Sequence, residues 1–212
     1  MDLILRPETA ADYRASEELT RAAFWDIHVP GCTEHFILHA MRTHPDFIPE
    51  LDYVAEADGR LVGQIAYTRA AVVSSDGAGR PVACFGPISV LPEYQGRGVG
   101  GALIRRTLEL AKGLGYPGVV ILGDPRYYHR HGFRSAEKWD ITMADGKYAP
   151  ALMACPLSPG GLDGLAGRFL ESPVFEQFDE ADFDAFDAGF PPREKGFQES
   201  QRDFAFLSTF RF

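Results

Sequence analysis

The chain is poor in cysteine. Cys32, Cys84 and Cys155 are odd in number, far apart and without metal-ligand spacing. That argues against a disulfide framework and against a zinc site, so no metal is expected, and it predicts buried free thiols in a reducing compartment. No run of 18 apolar residues occurs, so no membrane-spanning helix is expected. The segment Met1-Asp2-Leu3-Ile4-Leu5-Arg6-Pro7 lacks a basic start followed by a long apolar stretch, which reads against a signal peptide and for a cytoplasmic protein. Positive charge is scarce as well: 21 Lys and Arg stand against 30 Asp and Glu, a formal net charge of −9. A nucleic-acid surface needs clustered basic side chains to neutralise phosphates, so that partner class is disfavoured; a small basic pocket for one phosphorylated ligand is compatible with the balance. There is no Gly-x-Ser-x-Gly elbow to support hydrolase chemistry.

What is present is an ordinary globular composition, 45% hydrophobic and 24% charged over 212 residues. Leu3 to Arg6 reads as a strand stopped by Pro7, and Thr9 as the cap of a helix running to about Phe24. Residues 34 to 43 look helical. Leu51 to Glu56 and Leu61 to Val73 flank an Asp58-Gly59 turn, a hairpin signal, and Val82 to Leu91 adds a third antiparallel strand. Val99 to about Leu114 is a helix with Arg105, Glu109 and Lys112 on its wet face and Leu103, Leu110 and Leu114 on the other. Val119 to Leu122 is a short apolar run typical of a doubly covered parallel strand. A helical turn at 125–130 and weaker strands near 139–143 and 150–155 follow. The stretch Glu171 to Asp187 carries seven acidic residues, no Lys or Arg, and Phe175, Phe178, Phe183 and Phe186. It is read as an amphipathic helix packed on the main domain, with a dimer contact or a pocket wall as the sharper options.

The most informative segment runs from Phe85 to Leu103. A strand ends at Pro92, a glycine-rich loop follows, and a helix begins. Of the eight residues from Gln95 to Ala102, four are glycine. Such a loop lets main-chain N–H groups approach an anion, and the helix aims its free N–H groups and positive dipole end at the same place. A phosphate or pyrophosphate site is expected, with Arg97 adding a charge-assisted contact. Gly96-x-Gly98-x-x-Gly101 followed by Asp124 also matches a dinucleotide fingerprint, but its context is wrong: Pro92 to Gln95 separates strand from loop, and an antiparallel meander precedes it instead of βαβ units. No Gly-Lys-Ser/Thr completes a Walker loop.

Gln95-x-x-Gly98-x-Gly100 resembles the acetyl-CoA motif of the GNAT N-acetyltransferases, and Tyr128-His129-Arg130-His131-Gly132-Phe133 resembles their second motif, Y-x-x-x-G-F. Leu122-Gly123-Asp124-Pro125-Arg126-Tyr127-Tyr128 is similar to a segment of one bacterial GNAT subfamily. The resemblance implies an α/β (α+β) fold: a mixed, mostly antiparallel central sheet, flanked by helices, in which the strands at 82–91 and 119–122 splay apart. It implies acetyl-CoA as cosubstrate. Ile88, Ser89 and Val90 would pair with the pantetheine arm, and the Val90 N–H would face the thioester oxygen. Gln95, Gly96, Arg97, Gly98, Val99 and Gly100 would hold the pyrophosphate, and Tyr128 would protonate the leaving thiolate, with Tyr127 a packing neighbour and Gly132-Phe133 a turn and core anchor. Residues 1–157 would form the acetyltransferase domain and 158–212 an acidic, Phe-rich extension packed on it. The acceptor would be a small-molecule or peptide primary amine, attacked directly in a ternary complex, and a homodimer is an option. A base for the amine is expected from its ordinary pKa of about 10.4, with Glu34, His35 and Glu50 as candidates and His129 and His131 flanking Tyr128. The sequence does not choose among them, which keeps a catalytically weak acyl-CoA-binding or sensing module as the alternative.

Overall fold

The computed structural model describes residues 2–176 and 179–212; Phe178 of the acidic stretch lies outside them, as do Met1 and Gln177. From the first strand to the crossover helix and the strand after it, the elements follow the expected order; the short strand at Arg134–Ser135 and the one at Gly167–Leu170 are additions. β1 (Leu3–Pro7) is an edge strand that keeps Pro7 as its last residue, a position where a missing N–H costs little. α1 (Tyr13–Phe24) starts later than expected. Thr9 does not cap it. Its N–H and hydroxyl donate to the Asp12 carboxylate at 2.9 and 2.7 Å, and Arg6 donates to the same carboxylate at 2.7 and 2.9 Å. α2 (Glu34–Met41) follows. A tight turn at Pro49–Leu51 then delays β2 (Tyr53–Ala57).

β2 and β3 (Arg60–Val73) meet at the expected hairpin, with Asp58 and Gly59 both at positive φ, as a two-residue turn of this twist requires. β4 (Gly79–Val90) continues the meander, and α3 (Val99–Gly113) and β5 (Gly118–Leu122) make the crossover. Then come α4 (Pro125–Tyr128), β6 (Arg134–Ser135), β7 (Ile141–Thr142), β8 (Leu152–Pro156) and β9 (Gly167–Leu170). The strand order is β1-β2-β3-β4-β5-β8-β6, with β9 on β3 and β7. Only β4–β5 and β7–β9 run parallel among these pairs.

Helices cover both faces. A Cβ at position 63 would collide with Val99 and Leu103 of α3. Ser89 sits opposite the next residue, Gln64, and so points to the other face; there its hydroxyl donates to Thr20 of α1 at 3.0 Å. Leu103, Ile104, Ile65, Val119 to Ile121 and Phe133 are fully buried between these layers, each stabilising the fold by about 1.5–3 kcal/mol. Leu114 corrects the expected apolar stripe: it stands just past the end of α3 and is 47% exposed.

The acidic stretch is not one helix. Pro173 biases Ser172 to an extended conformation and removes a helical N–H, so only a single tight turn forms at Pro173–Phe175. α5 (Glu180–Asp187) begins after Asp179, whose side chain caps Ala181 N–H at 2.7 Å. α6 (Glu199–Thr209) was not foreseen. The tail is fastened to α1 and the loop after it. Arg21 donates to Asp187 at 2.7 Å, Trp25 Nε1 to the Glu194 carbonyl at 3.0 Å, and Gln201 to the Asp26 carbonyl at 2.9 Å. The three cysteines are buried and unpaired, as expected. No helix among the described residues is long and apolar enough to cross a membrane.

Candidate functional site

The site begins where the parallel pair comes apart. β4 and β5 are in register at one position, Ala83 with Val119, and diverge beyond it. Leu91 N–H donates to the Val62 carbonyl at 3.0 Å. Strand alternation therefore turns the main chain of Ser89 towards β3 and those of Ile88 and Val90 into the gap. Part of that edge is in use, since the Gln95 side chain donates to the Val90 carbonyl at 3.1 Å.

Gly96 and Gly98 take φ of 71° and 87°, which side chains with a Cβ adopt only at a cost. Gly98 is the N-terminal boundary of α3, and no side chain caps it. The first protein hydrogen bond after the loop is Ala102 N–H to the Gly98 carbonyl. Among the described residues, the N–H groups of Gly96, Arg97 and Gly98 have no acceptor, and helix geometry leaves those of Val99, Gly100 and Gly101 open as well. Three cationic or titratable side chains lie near this end: Arg105, Arg130 and His131. Burial, then Arg130 and Arg105, push the His131 imidazole below its ordinary pKa. Arg97 is not among the side chains that line the gap; its guanidinium lies 5.5 Å from the Tyr94 ring.

A single cavity of about 1160 Å³ connects the loop to the opposite end of the gap. Ile88, Val90, Gln95, Gly96, Gly98, Val99, Gly100 and Tyr128 line it; Ser89 and Arg97 do not. Tyr128 stands at the splay itself. Its ring is 5.7 Å from those of Phe85 and Phe133, and it lies so close to Gly123 at the end of β5 that a Cβ there would enter the ring. Burial pushes the phenol well above its ordinary pKa, so it is protonated at neutral pH. Tyr127 packs edge-on against it at 5.0 Å.

The candidate bases separate cleanly. His35 is fully buried away from the cavity; Nε2 meets Asp187 at 2.9 Å and Nδ1 meets the Cys32 thiol at 3.4 Å. Burial pushes that thiol up to about 12, so the Cys32-His35-Asp187 line is no nucleophile but a fastening for the tail. Glu50 is exposed and His129 does not reach the cavity. Glu34 does line it, with its carboxylate held by His28 Nδ1 at 2.7 Å and by Thr33 N–H at 3.0 Å. Glu171 and Glu176 also line it. α6 forms the far wall: Phe204 stacks on His28 at 4.1 Å, and Asp203 pairs with Arg126 at 3.2 Å.

The family model for the Acetyltransferase (GNAT) domain matches residues 50–135. The uncharacterized N-acetyltransferase YjhQ of Escherichia coli (strain K12) is 41% identical over 85 residues, which span 40% of this chain and 46% of YjhQ. The crystal structure of the GNAT family N-acetyltransferase YhbS from Escherichia coli, in complex with CoA, superposes with a TM-score of 0.73 at 26% identity, over 84% of this chain and 93% of YhbS. A GNAT family acetyltransferase from Brucella melitensis, in complex with acetyl-CoA, gives a TM-score of 0.66 at 30% identity, over 82% of this chain and 99% of its own. The chain belongs to the GNAT superfamily.

Within that GNAT framework, three features escaped the sequence. Arg105 was assigned to the wet face of α3, yet it lies one turn beyond Gly101 and lines the cavity; spacing from the glycine loop was the available signal. His28 and Phe204, 176 positions apart, meet only through the fold. Glu171 was one acid among seven, and burial is what singles it out.

Proposed function

We propose that this chain moves the acetyl group of acetyl-CoA to a primary amine by direct attack in a ternary complex. The observation that carries the reading is one continuous cavity from six open main-chain N–H groups to a buried, protonated phenol. The N–H groups from Gly96 to Gly101 suit a diphosphate, with Arg105 and Arg130 supplying positive charge at the same end. The gap-facing main chain of Ile88 and Val90 suits the two amides of a pantetheine arm, in the manner of an added strand. Val90 N–H is then available to a thioester oxygen as it gains charge. These features fit acetyl-CoA, and the chemistry it supplies is an activated acetyl ester.

Tyr128 has the remaining task. A phenol held protonated by burial donates its proton as negative charge develops on the departing sulfur. The tail, 158–212, provides the acceptor end of the cavity through Glu171, Glu176 and α6. Three unpaired thiols support a reducing compartment such as the cytoplasm.

The test is Tyr128→Phe. The chemical step is expected to slow by about 10²–10³-fold, with acetyl-CoA affinity within about twofold of the parent by calorimetry, because only the proton is lost. An undiminished single-turnover rate would remove Tyr128 from the reaction.

A further inference from the structure

We propose that Glu171 is the general base of the transfer, taking the first proton from the acceptor's ammonium group on the side of the cavity across from the glycine loop. The inference rests on the acetyl-transfer reading above and assigns the residue that reading leaves open.

Placement comes first. Glu171 follows β9 directly, and the register of Leu170 with Ala71 of β3 fixes where the chain leaves the sheet. The turn after it carries the Phe175 ring to Gly86, where an added Cβ would touch the ring at 3.3 Å. The turn after Glu171 thus packs against β4 at Gly86, two residues before Ile88 on the edge that faces the gap. Cys84, two residues before Gly86, lines the cavity together with Glu171 and Tyr128. Burial and then the Glu171 carboxylate push the Cys84 thiol up, and Cys84 in turn is among the groups that push the Tyr128 phenol up.

Availability comes second. Among the carboxylates lining the cavity, Glu34 is held by His28 and Thr33, and Asp124 and Asp203 are both paired with Arg126. Glu171 has no hydrogen bond or ion pair among the described residues. Apart from these groups and those named at the glycine loop, the charged side chains that line the cavity include Glu176 and, just past α6, Arg211. Burial first and Glu176 second raise the Glu171 carboxyl to about 7, the range in which a base is both free and able to hold a proton.

The proton balance closes. Glu171 takes one proton from R–NH3+ and passes it to solvent. The nitrogen lone pair forms the C–N bond at the acetyl carbonyl, the C–S bond breaks, and the Tyr128 hydroxyl protonates the sulfur. The second ammonium proton, carried on nitrogen after attack, restores the phenol. The products are R–NH–acetyl, CoA thiol and one released proton.

The experiment measures CoA thiol release from acetyl-CoA with spermidine, putrescine, lysine amide, tyramine and kanamycin, over pH 5.5–9, for the parent, Glu171→Gln and Glu171→Asp. On any amine that is turned over, E171Q is expected to lower kcat about 100-fold and to abolish the acidic limb of the kcat profile. E171D is expected to regain part of the rate with the limb restored, and acetyl-CoA affinity by calorimetry should be the same in all three. Release that is undiminished in E171Q, or diminished with the acidic limb intact, overturns the assignment alone. Acetyl-CoA binding without release from any of the amines overturns the transfer reading, and this assignment with it.

Discussion

Glu171→Gln also has a consequence for stability that needs no acceptor. Its carboxyl is raised from an ordinary 4.5 to about 7 in the folded chain, chiefly by burial. Below pH 4.5 the group is protonated in both folded and unfolded states, and its favourable contribution is fully present. As pH rises from 4.5 to 7 the unfolded chain gives up the proton while the folded chain keeps it, so stability falls across that window and stays lower above it. At about 1.36 kcal/mol for each pH step, ionised Glu171 destabilises the fold by at most about 3 kcal/mol; partial exposure makes about 2 the better figure. A chain of this size shifts its melting temperature by about 2–4 °C per kcal/mol. E171Q should therefore melt roughly 4–8 °C above the parent at pH 8 and within about 1 °C of it at pH 4. Differential scanning calorimetry of both proteins at the two pH values reads this directly, and other titrating groups cancel in the difference. A mutant that melts below the parent at pH 8 would mean that the carboxylate has a cationic or hydrogen-bonding partner, and the argument for its freedom would fail.

Two further variants probe the loop and the tail. Gly98→Ala places a Cβ at φ 87° in open space, so it should cost about 1–2 kcal/mol through backbone strain alone and weaken acetyl-CoA at least tenfold by calorimetry; wild-type affinity would disconnect the loop from the diphosphate. Asp187→Ala strips the partner from Arg21, whose side chain is 9% exposed, and from the fully buried His35. A loss of about 2–3 kcal/mol and faster proteolysis within 171–212 are expected by thermal melting and limited trypsin digestion, and an unchanged digestion pattern would contradict the fastening role.

What the sequence disclosed and what it hid divide along physical lines. Local chemistry was legible: Asp58-Gly59 demanded a tight hairpin, the four glycines between Gln95 and Ala102 demanded an unusual backbone, and the apolar run at 119–122 demanded a covered strand. Each signal acts within a few residues of itself. Thr9 misled because a hydroxyl ahead of a helix predicts a cap only when no better acceptor is near, and Asp12, already held by Arg6, took its hydrogens. β9 was missed because four residues starting at Gly167 gain their order from β3 and β7 rather than from their own pattern. α6 was missed because its face is not cleanly amphipathic: Phe206 is 59% exposed while Gln201 is buried. The acceptor end was illegible for the same reason. Glu171, His28 and Phe204 gain their meaning from burial and from neighbours more than 30 positions away, and no spacing rule carries that.

A crystal structure of this protein with CoA is the most direct measurement of the central claim. The account predicts the diphosphate on the N–H groups of residues 96–101, the pantetheine arm between β4 and β5, and the sulfur within about 3.5 Å of the Tyr128 hydroxyl. A diphosphate bound elsewhere, or a sulfur pointing away from Tyr128 with the gap closed, would contradict it.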